Sequence, residues 1–394
     1  MSHYIGIDNS SLDHKVQVLD ASGNKKSSFT IPNNLEGFEV LHQRLKEFTD
    51  VKIAFESPHE PLVDFLRNKK YSLYSLNPLK VKRYKESVKV SGDKNDTIDA
   101  LAIAEYLKHN ASYTRELFYN SPQVERLKHL ASIHTRLVQA RTAHLNRLHH
   151  AVRRYFPLHE QLFSVFGGPV QLKMLEKYPT FKDLHAASDE ELREFMKSCN
   201  YRHYKYMERI IQKIRAYNQF IDPDVEYAFF FEAQTLCKIL HILKEQLDTI
   251  EKEMNDITDA HHLGPIFKSL PGAGPILASK LLALFGDNKN RFENFNNAQC
   301  YFGTAPKNYK SGTYHRVNMR KACNKAGRLA LYHHAFATLK TSEWARKYYD
   351  SQRASGKTNS MALRALSNKW VKIIFKLWKE EIFYDESKKT SSAA

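Results

Sequence analysis

Apolar residues in the first eighty positions fall in short runs and alternations. Residues 3–7 (His-Tyr-Ile-Gly-Ile) form a run typical of a buried strand and stop at Asp8. Residues 15–20 alternate as Lys-Val-Gln-Val-Leu-Asp, Ser22-Gly23-Asn24 supplies a turn, and Lys26 to Ile31 completes a third strand. Asn33-Asn34 then offers a cap for a helix whose apolar side is Leu35, Phe38, Leu41, Leu45 and Phe48. Val51 to Phe55 is a fourth strand ending at Glu56. A helix follows around Leu62 to Arg67, and Tyr71 to Leu76 is a fifth strand stopped by Asn77-Pro78. Val90 to Ala104 begins polar and acidic and runs into an alanine- and leucine-rich helix.

Three hairpin-linked strands followed by helix, strand, helix, strand, helix is a ribonuclease-H-like order, with an antiparallel set beside parallel crossovers. The pattern then changes to a helical one. Val124, Ala131, Val138, Leu145 and Val152 repeat every seven residues, with Leu127, Leu148 and Tyr155 in the companion row and His134 and Arg141 interrupting it. Residues 160–230 are broken by Gly167-Gly168-Pro169, Pro179 and Asp222-Pro223, and short amphipathic helices are expected there. A second seam runs through Leu236, Leu240, Leu243, Leu247, Ile250, Met254 and Ile257 at alternating spacings of four and three. Leu270-Pro-Gly-Ala-Gly-Pro leads into an apolar helix, as in a helix-hairpin-helix turn whose N–H groups can meet a phosphate. The expected layout is an α/β domain over 1–110, a helical coiled-coil linker with an insert over 111–262, and a mainly helical domain over 263–394.

Charge sharpens this picture. The net charge is +17, and residues 264–394 hold 23 Lys and Arg against 8 Asp and Glu. No acid falls between Glu293 and Glu343, whereas Lys307, Lys310, Arg316, Arg320, Lys321, Lys325 and Arg328 do. An acid-free basic stretch of this length points to phosphates. The sequence shows no apolar run long enough to span a bilayer and no secretory signal at its start. Its four cysteines form no C-x-x-C pair, so a reduced cytoplasmic setting is expected and a structural zinc site is not. The adjacent pairs His149-His150, His261-His262 and His333-His334 are poor chelates and are expected at the surface or facing DNA.

The acids carry the chemistry. Asp8 and Glu56 end strands that parallel crossovers would lay side by side, and residues at the carboxyl ends of such strands gather at one edge. Asp96 and Asp99, three apart at a helix start, share a face. Near them lies Asp93. Acids at a helix N-terminus also complement its dipole. Four converging carboxylates, however, suit Mg²⁺ or Mn²⁺, and two such ions serve phosphoryl transfer. Gly6-Ile-Asp-Asn-Ser-Ser11 faintly matches the first phosphate loop of an actin-like ATPase, but no second phosphate loop with its own Asp accompanies it. Ser311-Gly312 lies within the acid-free stretch; Ser-Gly is a turn signal on its own, and a serine hydroxyl needs activation to attack.

Gly6-Ile-Asp8, Phe55-Glu-Ser57, Leu76-Asn-Pro78 and Lys94-Asn-Asp-Thr-Ile-Asp-Ala100 stand in order with Leu270-Pro-Gly-Ala-Gly-Pro275, Tyr301-Phe-Gly-Thr-Ala-Pro306, Ser311-Gly312 and Ser355-Gly-Lys357. Together they resemble the DEDD transposases of the insertion sequence one-hundred-and-ten family, which includes Piv-type DNA invertases. The resemblance covers nearly all the chain except 160–230. It departs at Ser57-Pro58-His59, where Thr-Gly is usual, and at Asn95, where Thr is usual; both leave the carboxylates in place. It implies a RuvC-like first domain with metal bound by Asp8, Glu56, Asp96 and Asp99, and Ser311 attacking DNA to give a phosphoserine intermediate. It also implies a homo-oligomer (a dimer or tetramer) and a structured guide RNA that pairs with donor and target DNA. The cations Lys307, Lys310, Arg316, Arg320, Lys321, Lys325 and Arg328 would hold nucleic-acid backbone. Two other outcomes fit the same residues: a RuvC-like nuclease without a serine nucleophile, and a nucleic-acid-binding protein with an inactive acidic site.

Overall fold

A computed structural model describes residues 1–56, 61–88, 96–218 and 221–387, with the side chains of Val88 and Asp96 outside that description. The chain divides into two units, Met1–Tyr119 and Asn120–Ala394.

In unit 1, β1 (His3–Asn9), β2 (Asp13–Leu19) and β3 (Lys25–Pro32) form an antiparallel meander. After α1 (Leu35–Leu45), capped by the Asn34 side chain, β4 (Val51–Phe55) lies parallel to β1. Then come α2 (Pro61–Asn68), β5 (Ser72–Ser75) parallel to β4, α3 (Pro78–Val88) and α4 (Asp96–Asn110). The sheet order β3-β2-β1-β4-β5 agrees with the ribonuclease-H-like arrangement. Alternation assigns the two faces. Ile5, Ile7, Ile53 and Phe55 bury against Phe38 and Leu41 of α1 and Leu62, Val63 and Leu66 of α2. On the other face Ala54 packs with Ala102, Ile103 and Leu107 of α4. Residues 111–119 return to the sheet, where the Leu117 N–H donates to the Leu73 carbonyl at 2.7 Å.

Gly6 decides how closely α4 can lie on the sheet. A Cβ at that position would sit 2.0 Å from the Ala100 carbonyl oxygen and 2.5 Å from the Ala104 nitrogen. Only a residue without a side chain lets β1 and α4 meet backbone to backbone.

Unit 2 opens with α5 (Pro122–Tyr155), capped by Ser121 with Pro122 at the first helical position. Then follow α6 (Pro157–Gln161), α7 (Pro169–Lys177), α8 (Phe181–Ala186), α9 (Asp189–Ser198), α10 (Tyr204–Ala216) and the long α11 (Pro223–Ala260). Capping boxes at Thr180/Asp183 and Ser188/Glu191 start α8 and α9. The two long helices run antiparallel: His134 pairs with Glu251 at 2.9 Å and Arg147 with Glu232 at 3.0 Å. His134, which breaks the heptad row, is therefore buried against a partner carboxylate.

The remaining elements are α12 (Gly264–Lys268), α13 (Pro275–Phe285), α14 (Phe295–Tyr301), β6 (Lys307–Ser311), β7 (Tyr314–Asn318), α15 (Lys325–Thr338), α16 (Glu343–Ala354) and α17 (Asn359–Glu380). Their core is built on Phe285, Phe302, Trp370 and Trp378. Three expectations change. An extra helix, α3, precedes α4. The Ser311 segment is a strand hairpin rather than a loop. His261 and His334 are buried, not on the surface, because one face of each helix or turn they occupy packs on the core. Among the described residues no helix is long and apolar enough to cross a membrane.

Candidate functional site

The register of the sheet brings two acids together. Ile7 pairs with Phe55 in the parallel β1–β4 ladder, so Asp8 and Glu56 are the next residue on each strand. Alternation turns them to the same face as Gly6 and Ala54, the face that α4 covers. Asp99 precedes Ala100, whose carbonyl lies against Gly6, and Asp99 is near enough for its charge to act on Glu56. Burial pushes the Glu56 carboxyl above its ordinary range, and the charge of Asp99 pushes it further the same way. Glu56 still reaches solvent, so the edge is a shallow one.

Asp99 has a cationic neighbour: Lys85 of α3 donates to its Oδ1. The motifs do not reveal this Lys85–Asp99 pair; the hint in the sequence is the basic run Lys80, Lys82, Arg83, Lys85 just before the acids. Asp96 opens α4 with its side chain outside the described residues, and Asp93, Ser57-Pro58-His59 and Lys94-Asn95 also lie outside them. Among the described residues no group of three or more His, Cys, Asp or Glu is placed to hold a metal ion. The donor chemistry nonetheless fits a hard divalent cation: the groups are oxygen ligands only, and burial and the Asp99 charge raise the Glu56 pKa in a way that added positive charge would relieve.

In unit 2, Ser311 is the last residue of β6 and pairs with Tyr314 across a two-residue turn. Gly312 takes φ +56°, the left-handed conformation that tight hairpin turns demand. Ser311 is exposed, as are Lys307, Lys310 and Arg316. Tyr309 pairs with Arg316 and Lys310 with His315, so Ser311 shares a face with Lys307, Tyr309, Tyr314 and Arg316, while Lys310 and His315 lie on the opposite one. Lys321 and Lys325 are exposed beyond the hairpin. Arg328 is committed locally, donating to the Arg320 carbonyl at 3.0 Å.

The Tyr301-Phe-Gly-Thr motif holds the base of the hairpin. Before β6, the N–H groups of Thr304 and Ala305 donate to the Gln299 carbonyl at 3.0 and 3.2 Å. After β7, Asn324 donates its backbone N–H to the Tyr301 carbonyl at 2.8 Å, and its side chain caps α15. Gly303, at φ +67°, leaves room for Cys323, whose sulfur would lie 2.4 Å from a Cβ there. The Tyr301 hydroxyl accepts from Arg291 and from Asn324, each at 3.2 Å. Burial works to raise its pKa, but Arg291 and these bonds together hold it below the ordinary phenol range.

Comparison with known proteins places these features in a family. Residues 5–157 match the transposase family designated DEDD_Tnp_IS110, and residues 264–350 match the transposase IS116/IS110/IS902 family. The chain is 28% identical to the mini-circle putative transposase for IS117 of Streptomyces coelicolor, covering 93% of this chain and 92% of that protein. It is 25% identical to the insertion element IS110 uncharacterized 43.6 kDa protein of the same organism, covering 97% and 95%. Among solved structures, T. thermophilus RuvC in complex with Holliday junction substrate is 16% identical, the match covering 30% of this chain and all of that one with a TM-score of 0.24.

Proposed function

This chain belongs to the IS110 family of transposases, and we propose that it is a metal-dependent, RNA-guided DNA recombinase working through a covalent phosphoserine. The observation that supports the proposal is the edge of unit 1, where strand register sets Asp8 beside Glu56 and the charge of Asp99 acts on Glu56, adding to the effect of burial in raising its pKa. Asp8, Glu56, Asp96 and Asp99 would hold Mg²⁺ or Mn²⁺. Bound there, the ions supply positive charge to phosphate oxygens. Ser311 presents its hydroxyl from an exposed hairpin tip. Its Oγ bonds to the scissile phosphorus as the bond from phosphorus to one sugar oxygen breaks. The hydroxyl proton passes to water, and the departing oxygen takes up a proton. Lys307 and Arg316, on the serine's face, would hold the non-bridging oxygens; Lys310, Arg320, Lys321 and Lys325 would position the backbone, while Arg328 braces the segment through the Arg320 carbonyl.

A structured guide RNA, donor and target DNA, and further copies of the chain in a dimer or tetramer complete this proposal, with sequence read by base pairing. So does a functional layout of 1–110 for metal, 111–262 for spacing and 263–394 for the serine. The test uses protein co-purified with RNA transcribed from the flanks of its gene. With end-labelled donor and target DNA and Mg²⁺, the wild type is expected to carry label through SDS denaturation. Ser311→Ala and Asp96→Asn should each abolish that signal. Free cleaved DNA that persists in Ser311→Ala would instead identify a nuclease using metal-activated water.

A further inference from the structure

The last helices of unit 2 border a half-open cavity of about 820 Å³, walled by α14, α16, α17 and residues 382–385. Four lysines line it, against a single carboxylate, Asp385, which accepts from the Ser387 N–H at 3.0 Å and hydroxyl at 2.6 Å. Lys347 and Lys376 are paired with Glu343 and Glu380 on their own helices. Lys372 stands over the Phe295 ring at 4.8 Å and Lys369 over Tyr348 at 5.7 Å.

The rest of the wall is largely aromatic. Trp344 packs on the fully buried Trp370 at 4.8 Å, which fixes its ring. Its Nε1–H donates to the Tyr384 hydroxyl at 2.7 Å, and that hydroxyl donates to Glu386 at 2.5 Å. The Trp344 N–H and the Tyr384 hydroxyl are thus satisfied inside the wall, and the cavity is lined mainly by aromatic and aliphatic side chains and by lysines. Such a lining matches a planar, anionic ligand. Duplex DNA keeps its bases stacked and paired, whereas an unpaired strand can splay bases onto aromatic rings with its phosphates on lysines. The cavity also falls in the size range of small-molecule sites.

We propose that this cavity binds unpaired nucleotides of a single-stranded nucleic-acid segment, with bases against Trp344, Tyr348 and Phe383 and phosphates on Lys369 and Lys372. Much of the site lies on α17, beyond the residues 264–350 matched by the family comparison. It requires neither the acids of unit 1 nor Ser311.

Tryptophan fluorescence tests it directly. Of the three tryptophans, Trp370 and Trp378 are fully buried, so a ligand entering the cavity acts on Trp344. Full-length protein is titrated with octauridylate without divalent metal, so the result is independent of whether unit 1 cleaves DNA. The expected result is saturable quenching that disappears in Trp344→Phe and is not produced by a duplex of the same length. Binding should weaken about tenfold in Lys372→Glu, an exposed position that leaves the fold intact, and similarly in Tyr348→Ala. Absence of quenching, or equal affinity in Lys372→Glu, overturns the proposal. Quenching by an acidic peptide at equal or lower concentration also overturns it, and would make the cavity a protein-docking face.

Discussion

Gly6→Ala is the sharpest perturbation of the acidic edge. The added methyl would sit 2.0 Å from the Ala100 carbonyl oxygen, about 1.4 Å short of ordinary contact at 3.4 Å. Its neighbours are backbone atoms, so no rotamer change relieves the clash, and α4 must lift from β1. Overpacking of this kind costs about 1–3 kcal/mol. Where the alanine meets no obstacle, the loss of chain entropy in the unfolded state instead stabilises by ~0.4–1 kcal/mol. The two cases therefore differ in sign. Displacing α4 by that distance also moves Asp99 relative to Asp8 and Glu56, and misplacement by ~1 Å costs on the order of 10²-fold in rate. Because all three tryptophans lie in unit 2, hydrogen exchange of β1 and α4 peptides is the stability assay. DNA strand cleavage with Mg²⁺ is the functional one. Slower exchange than wild type with unchanged cleavage would refute the backbone-to-backbone approach.

Three further outcomes follow from the same geometry. Glu56 has a raised folded-state pKa, so unit 1 loses stability as pH rises through it; in metal-free buffer at pH 7, Glu56→Gln should melt higher than wild type, the gap closing near about pH 4. Mg²⁺ should raise the wild-type melting temperature and leave this variant unmoved. Asp287 accepts the Ser121 N–H at 3.0 and 3.2 Å, and although burial opposes it, these bonds hold its pKa low. Asp287→Ala should cost about 1–3 kcal/mol by tryptophan-monitored denaturation at neutral pH, with the difference shrinking as acid protonates the wild-type carboxylate. Arg316 shares the face of Ser311 and Lys310 does not, so Arg316→Ala should reduce covalent DNA–protein complex by about 10²-fold and Lys310→Ala by far less, as read on denaturing gels.

The sheet of unit 1 is legible in the sequence because β1, β2 and β4 are buried on both faces and β3 and β5 are anchored by Ile31 and Leu73, which writes runs and alternations into it. The same logic explains what is hidden. The two strands β6 and β7 bury neither face, so Lys-Asn-Tyr-Lys-Ser and Tyr-His-Arg-Val-Asn carry no inside–outside code. The α3 helix carries four Lys and Arg and is largely exposed, with Val81 its buried residue among those described, and it lacks an apolar stripe. The Lys85–Asp99 pair joins residues on two helices, and spacing along the chain cannot express it. His333 and His334 look alike as a pair, yet only the second is fully buried, because the helix turns by about 100° between neighbours. The acids at the carboxyl ends of β1 and β4 could be expected from strand order alone, whereas the role of Gly6 required seeing what faces it.

The exposed hairpin has an evolutionary meaning. Since β6 and β7 contribute nothing to the core, substitutions on them leave the folding equilibrium nearly untouched. Related elements can therefore exchange the cations around Ser311 freely, one at a time, without first acquiring a compensating change elsewhere. On the proposed function, selection would see such changes only through contact with phosphates, so this hairpin could tune how tightly backbone is held while base pairing alone sets the target.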